Sequence, residues 1–252
     1  MLAIGCRMGY FSQDDVQAVC GDNAAEKKRV QEHFSALHKK LFEQIQNNNI
    51  DLSILRPGAS VVQAETVSDF NEANLLAVQY TRPRGKAVNV EKLMGREEVA
   101  SANNLILRLH PVIELRLSEA GLALELIMSP DAWWDQQNVK GKLSVARHRH
   151  EFYSMLMELE ADYSMGFWEG IRLSDMHLTG KYFQHPRILD EWLGTFHPNA
   201  DWFRIGIWYD VDDEALSKES IVSELLKQTE TLYSLYRYFL WTSENNFREF
   251  AT

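Results

Sequence analysis

The sequence predicts an α+β fold: an antiparallel sheet of about five or six strands with flanking helices, stacked as a two-layer or three-layer sandwich. Three observations lead there. Two alternating apolar runs, Val112 to Leu117 and Leu122 to Met128, are joined by a short link ending in Gly121, the pattern of an antiparallel hairpin. Several other stretches repeat apolar residues every three or four positions, as amphipathic helices do. No strictly alternating strand–helix–strand series runs along the chain, so a parallel doubly wound sheet is not expected.

The composition agrees with a folded chain. Of 252 residues, 45% are hydrophobic and 25% are charged, which excludes wholesale disorder and a fibrous repeat. The length is sufficient for a sizeable core. Internal repeats and low-complexity linkers are missing, so residues 24–252 are expected to form one α+β domain, with residues 1–23 as a loosely ordered arm.

Along the chain, Val30, Phe34, Leu37, Leu41 and Ile45 mark one face of a helix that Asn47-Asn48-Asn49 ends. Arg56-Pro57-Gly58 signals a turn, followed by candidate strands over Ser60–Glu65 and Asn74–Tyr80. Arg82-Pro83-Arg84-Gly85-Lys86 reads as a loop, and the stretch after it hints at helix. In the hairpin, Glu114, Arg116 and Glu125 fall on the polar face of the sheet. Ser129-Pro130-Asp131 has the form of a helix start, with a capping serine and a proline at the first helical position. A helix is expected over Val145–Leu159, a strand over Gly166–Leu173, and another helix from His185-Pro186. Phe203–Tyr209 reads as a strand whose core face carries Phe203, Ile205, Ile207 and Tyr209, which leaves Arg204 and Trp208 on the other face. A long C-terminal helix runs through Val222, Leu226 and Tyr233 to Phe239, with Asp212 or Asp213 as its cap.

The net charge of −10 and the two cysteines bound the function. A surplus of acids counts against nucleic acid and anionic membranes as partners. Two cysteines do not make a disulfide scaffold, and the first residues make a poor secretory signal, so a cytoplasmic location is expected. No run reaches the ~18 apolar residues of a membrane span. The Walker pattern, the dinucleotide glycine fingerprint and the nucleophile elbow are all missing from the sequence, and no cofactor is called for.

What remains is a set of candidate contacts. Arg82, Arg84 and Lys86 place three cations within five residues, a pattern that suits a phosphate or carboxylate. Arg147 and Arg149 flank the histidines of Arg147-His148-Arg149-His150-Glu151. Trp168, Arg204 and Trp208 offer an aromatic wall beside a guanidinium. The chain carries seven tryptophans, and its indoles are expected chiefly to fill the interior. These features favour a non-catalytic module that binds a small ligand or a protein, with a homodimer among the expected assemblies. A rival reading is a metal-dependent hydrolase using His148, His150 and Glu151, supported by Glu158 and Asp162. A second rival is an accessory protein in nucleic-acid processing, in which the five cations from Arg82 to Arg149 form one patch.

Overall fold

In a computed structural model, the described residues are 9–55, 61–62, 66–67, 74–96, 105–167, 178–183 and 185–247. They form eight α-helices and a six-stranded antiparallel sheet, an α+β fold with flanking helices. The strands are β1 (Leu76–Tyr80), β2 (Val112–Ser118), β3 (Gly121–Met128), β4 (Ser164–Gly166), β5 (Leu178–Thr179) and β6 (Phe203–Tyr209), in spatial order β1-β2-β3-β6-β4-β5. The helices are α1 (Gln13–Cys20), α2 (Ala24–Asn47), α3 (Arg84–Leu93), α4 (Trp133–Ser144), α5 (Ala146–Met157), α6 (Gly180–Phe183), α7 (Pro186–Leu193) and α8 (Ile221–Phe239). None of the described helices is long and apolar enough to cross a membrane.

The hairpin β2–β3 turns through Glu119 and Ala120, with Ser118 paired to Gly121. Gly121 has φ +97°, and a side chain there would also collide with the Tyr209 carbonyl, so glycine is required twice over. Alternation then assigns the faces. Ile113, Leu115 and Leu117 of β2, Leu122, Leu124 and Leu126 of β3, and Phe203, Ile205 and Ile207 of β6 point into one core with α1, α2 and α8.

The segment expected to be a loose arm is instead built into that core over the residues described. Ser12 caps α1 with a full capping box through Asp15, and Phe11, Val16 and Val19 are buried. The apolar spacing Val16–Val19 is one helical step, too short to register as periodicity in the sequence.

His38 on α2 lies in the same core. Its Nδ1 is 2.8 Å from the Tyr80 hydroxyl, and its ring stacks on Phe42 and Tyr80. Burial, with a smaller push from Lys39, holds this imidazole down to about 4 against an ordinary 6.5. The unfolded chain therefore takes up the proton first. The contribution is complete above pH 6.5 and is lost as pH falls towards about 4. We expect the unfolding free energy to drop by roughly 2–3 kcal/mol across that window. Urea titrations at neutral and acid pH will show it, and His38→Phe will flatten that part of the profile.

The opposite face of the sheet departs from the sequence reading. Glu114, Arg116, Glu125 and Arg204 were expected on a polar or cleft-lining face, yet all four are buried. Glu114 pairs with Glu125 across the β2–β3 ladder, two carboxylates directly opposed. Arg116 bridges them, donating from Nη1 to Glu114 (2.9 Å) and from Nη2 to Glu125. Arg204 donates to Glu125 from Nε (2.9 Å) and Nη2. Glu114 also accepts from Thr66 Oγ1 (2.7 Å), the Val67 N–H (3.0 Å) and Gln79 Nε2 (2.9 Å). Two positive and two negative side chains thus close on themselves, which is the condition under which charges tolerate burial. Gly206 sits opposite Glu125, and a Cβ there would be 2.7 Å from Glu125 Cγ. The strand glycine is the space in which the carboxylate side chain lies.

Other local expectations shift by a few residues. The Ser129 hydroxyl accepts the Asp131 N–H (3.1 Å) and closes a turn, so α4 begins at Trp133 with no side-chain cap. Asp213 caps only the 3₁₀ turn Glu214–Leu216, and α8 starts after Ser220. Phe167 is not in a strand, and the part of the expected strand beyond it and the turn Arg56-Pro57-Gly58 lie outside the described residues. So do Ser60 and Gln63–Glu65, while Val61 and Val62 form a bend rather than a strand. Of the described tryptophans only Trp202 is buried; the others are half-buried. Their indoles sit at the edges of the core rather than filling it.

Candidate functional site

Arg82-Pro83-Arg84-Gly85-Lys86 does not form a loop. Pro83 occupies the N-cap position and Arg84 opens α3, because proline fixes a backbone angle suited to a helix entry. The three cations consequently sit in different environments. Arg82 is 2% exposed and its Nη2 donates to Asp135 of α4 at 2.6 Å. Lys86 is exposed and bound to Asp51 at 2.6 Å, and Arg84 is half-buried.

The segment Arg147 to Glu151 lies in α5. Arg147 and His150 are exposed, and Arg149 is half-buried and lies 3.8 Å from Asp190. His148 packs its ring on Phe247, with centroids 4.3 Å apart, and its Nδ1 is 3.3 Å from Glu151. That pair is all the segment offers a metal ion. Glu160 is engaged by Lys227 and by Gln228 (3.1 Å). Among the described residues no group of three or more histidine, cysteine or acidic side chains is placed to hold a metal. Trp168 lies outside the described residues. Arg204 is consumed by the buried quartet, and Trp208 is half-buried on the same face of the sheet.

Helix α4 organises what the sequence reading did not find. Its buried side carries Asp135, Asn138 and Lys142, spaced three and four residues apart on one face. Lys142 and Asn138 meet carbonyls at the end of α8 that the helix itself leaves unbonded. Lys142 Nζ donates to the Tyr238 carbonyl (2.8 Å), and Asn138 Nδ2 donates to those of Phe239 (3.2 Å) and Leu240 (3.1 Å). Asp135 Oδ1 accepts the Trp241 N–H (2.7 Å), and Asn138 Oδ1 accepts the Phe247 N–H (2.8 Å). Residues 240–247 are thereby strapped across α4. A polar stripe at helical spacing beside two tryptophans was the available signal, and it reads as solvated until the strap is known.

The strap, α3, α5 and the end of α8 enclose an open groove of about 1040 Å³. Tyr233, Tyr238, Trp241, Leu93 and Met155 supply apolar surface. Arg82, Lys86, Lys142 and Arg237 supply positive charge, against Asp51, Glu151 and Glu244. No family model matches this chain, and no curated protein matches it either. The chemistry of the groove therefore rests on its own residues.

Burial decides which charges dominate. Asp51 and Glu151 keep 49% and 58% of their side chains exposed and are screened by water and salt. Arg82 and Lys142 are buried, where a charge acts through a lower effective dielectric, and Arg82 shares its charge with the equally buried Asp135 while Lys142 has no such partner among the described residues. Among the described residues neither Arg82 Nε nor Asp135 Oδ2 has a hydrogen-bond partner. Burial also holds the Lys142 amine down to about 8. Of the residues singled out in the sequence, Arg82, Lys86 and Glu151 meet in this groove; Arg84, Arg147, Arg149, His148, His150, Arg204 and Trp208 do not line it.

Proposed function

We propose that the protein is a non-catalytic binding module whose groove takes a small anionic ligand with an aromatic or apolar body. The observation that supports this reading most is the placement of buried Arg82 and Lys142, with Arg237, among the rings of Tyr233, Tyr238 and Trp241. An anion gains from cations of low exposure, and rings cover the rest of a small molecule. The acids lie towards water and leave entry open. A metal-dependent hydrolase draws no support from the pair His148 and Glu151.

Three small probes test the charge preference. Phenyl phosphate is expected to raise the melting temperature in a concentration-dependent way, because a ligand that binds only the folded state stabilises it. Benzyl alcohol and phenyltrimethylammonium, with the same ring, are expected to leave it unchanged. Equal shifts from all three would show that the cations play no part.

A further inference from the structure

We infer that Lys142 is a covalent anchor of the groove, forming a reversible imine with a ligand that carries an aldehyde as well as its anionic group. This rests on the binding reading above and names the ligand class more closely. Every lysine of the chain lies among the described residues, and Lys142 alone is buried. Its Nζ is 4.0 Å from the Tyr238 ring centroid and 5.3 Å from that of Phe247, and it lines the groove. Among the described residues no carboxylate forms an ion pair with it; Glu151 on α5 acts only at longer range. A desolvated amine set among aromatic rings is an arrangement in which lysines serve as nucleophiles.

The step balances without an oxidant. The lone pair of neutral Nζ forms a bond to the aldehyde carbon as the carbonyl π pair moves to oxygen. Proton transfer from nitrogen to that oxygen gives the carbinolamine, which loses water as the C=N bond forms. Amine and aldehyde give imine and water, and the open groove lets water return to reverse it. The protonated imine keeps one N–H, so the hydrogen bond to the Tyr238 carbonyl survives. The structural duty of Lys142 at the end of α8 and its chemistry are therefore compatible.

Pyridoxal 5′-phosphate is a suitable probe because it joins an aldehyde, a phosphate and a ring. The full chain is incubated with it, reduced with borohydride, digested and mapped by mass spectrometry. At pH 8 about half of an amine with a pKa of about 8 is neutral, against roughly 0.4% of an ordinary lysine. We expect labelling roughly tenfold higher at Lys142 than at any exposed lysine, after allowing for restricted access. It should rise through pH 8 and fall when phenyl phosphate competes. Lys142→Arg keeps a charge and a donor to Tyr238 and should lose the adduct, whereas Lys92→Arg, at an exposed lysine outside the groove, should keep it. Labelling spread over exposed lysines, or confined to Lys86, would overturn the anchor. Saturable phenyl phosphate binding by a protein whose Lys142 stays unlabelled by pyridoxal 5′-phosphate would overturn the anchor alone and leave the binding reading intact.

Discussion

Replacing Arg204 with methionine should cost about 3–5 kcal/mol of stability, the largest single effect expected anywhere in this fold. Arg204 supplies two of the three hydrogen bonds that Glu125 accepts, and both residues are fully buried. Methionine fills comparable volume, so the loss is electrostatic: a buried carboxylate is left facing Glu114 across the ladder with Arg116 shared between them. The companion variant separates charge from packing. Glu125→Gln combined with Arg204→Met removes one charge of each sign and leaves the Arg116–Glu114 pair balanced. That double variant should be more stable than Arg204→Met alone, by roughly 1–3 kcal/mol in a double-mutant cycle. Urea unfolding with unchanged slopes is the measurement. A single-variant cost below about 1 kcal/mol would place the quartet in contact with water, as exposed ion pairs are.

The second large effect is expected at Asp135. This carboxylate is 0% exposed, and its Oδ1 accepts from both Arg82 and the Trp241 N–H. Asp135→Asn keeps an acceptor of the same shape but removes the charge, which leaves Arg82 buried without its counter-ion. A loss of about 3 kcal/mol follows from breaking one side of a buried pair. The same change loosens residues 240–247, because the Trp241 N–H is one of the points at which the strap is tied to α4. Amide exchange should then quicken at Trp241 more than in the sheet, where the ladder is untouched. Uniform quickening across the molecule would mean that Asp135 serves global stability and not the strap.

How much of this was legible in the sequence depended on whether a signal was local. The hairpin, the strand Phe203–Tyr209 and the helices over residues 24–47, 146–157 and 221–239 follow from period and turn chemistry, and each stands within a few residues of its expected place. The core face of β6 was readable for the same reason. Helix α1 was not, since eight residues hold too few apolar repeats. Caps failed where a serine or aspartate found a nearer partner, as Ser129 did with Asp131.

Charges misled more than apolar residues did. Glu114, Arg116, Glu125 and Arg204 look solvated one strand at a time, and only their pairing across three strands neutralises them. The groove was half visible. Arg82 and Lys86 stood out as a basic run and Glu151 as part of a histidine-rich one, and the fold brings those three together over more than sixty positions. Lys142 and Arg237 were hidden because nothing local distinguishes them from surface cations. Their placement depends on how α4 meets the end of α8, where Lys142 reaches the Tyr238 carbonyl.

Calorimetric titration of phenyl phosphate into the wild-type chain and into Arg237→Glu examines the binding claim head-on. One saturable site is predicted for the wild type, weakened at least roughly tenfold by the reversed charge and further weakened as salt is raised. Equal affinity in both proteins, or no saturable heat in the wild type, would contradict it.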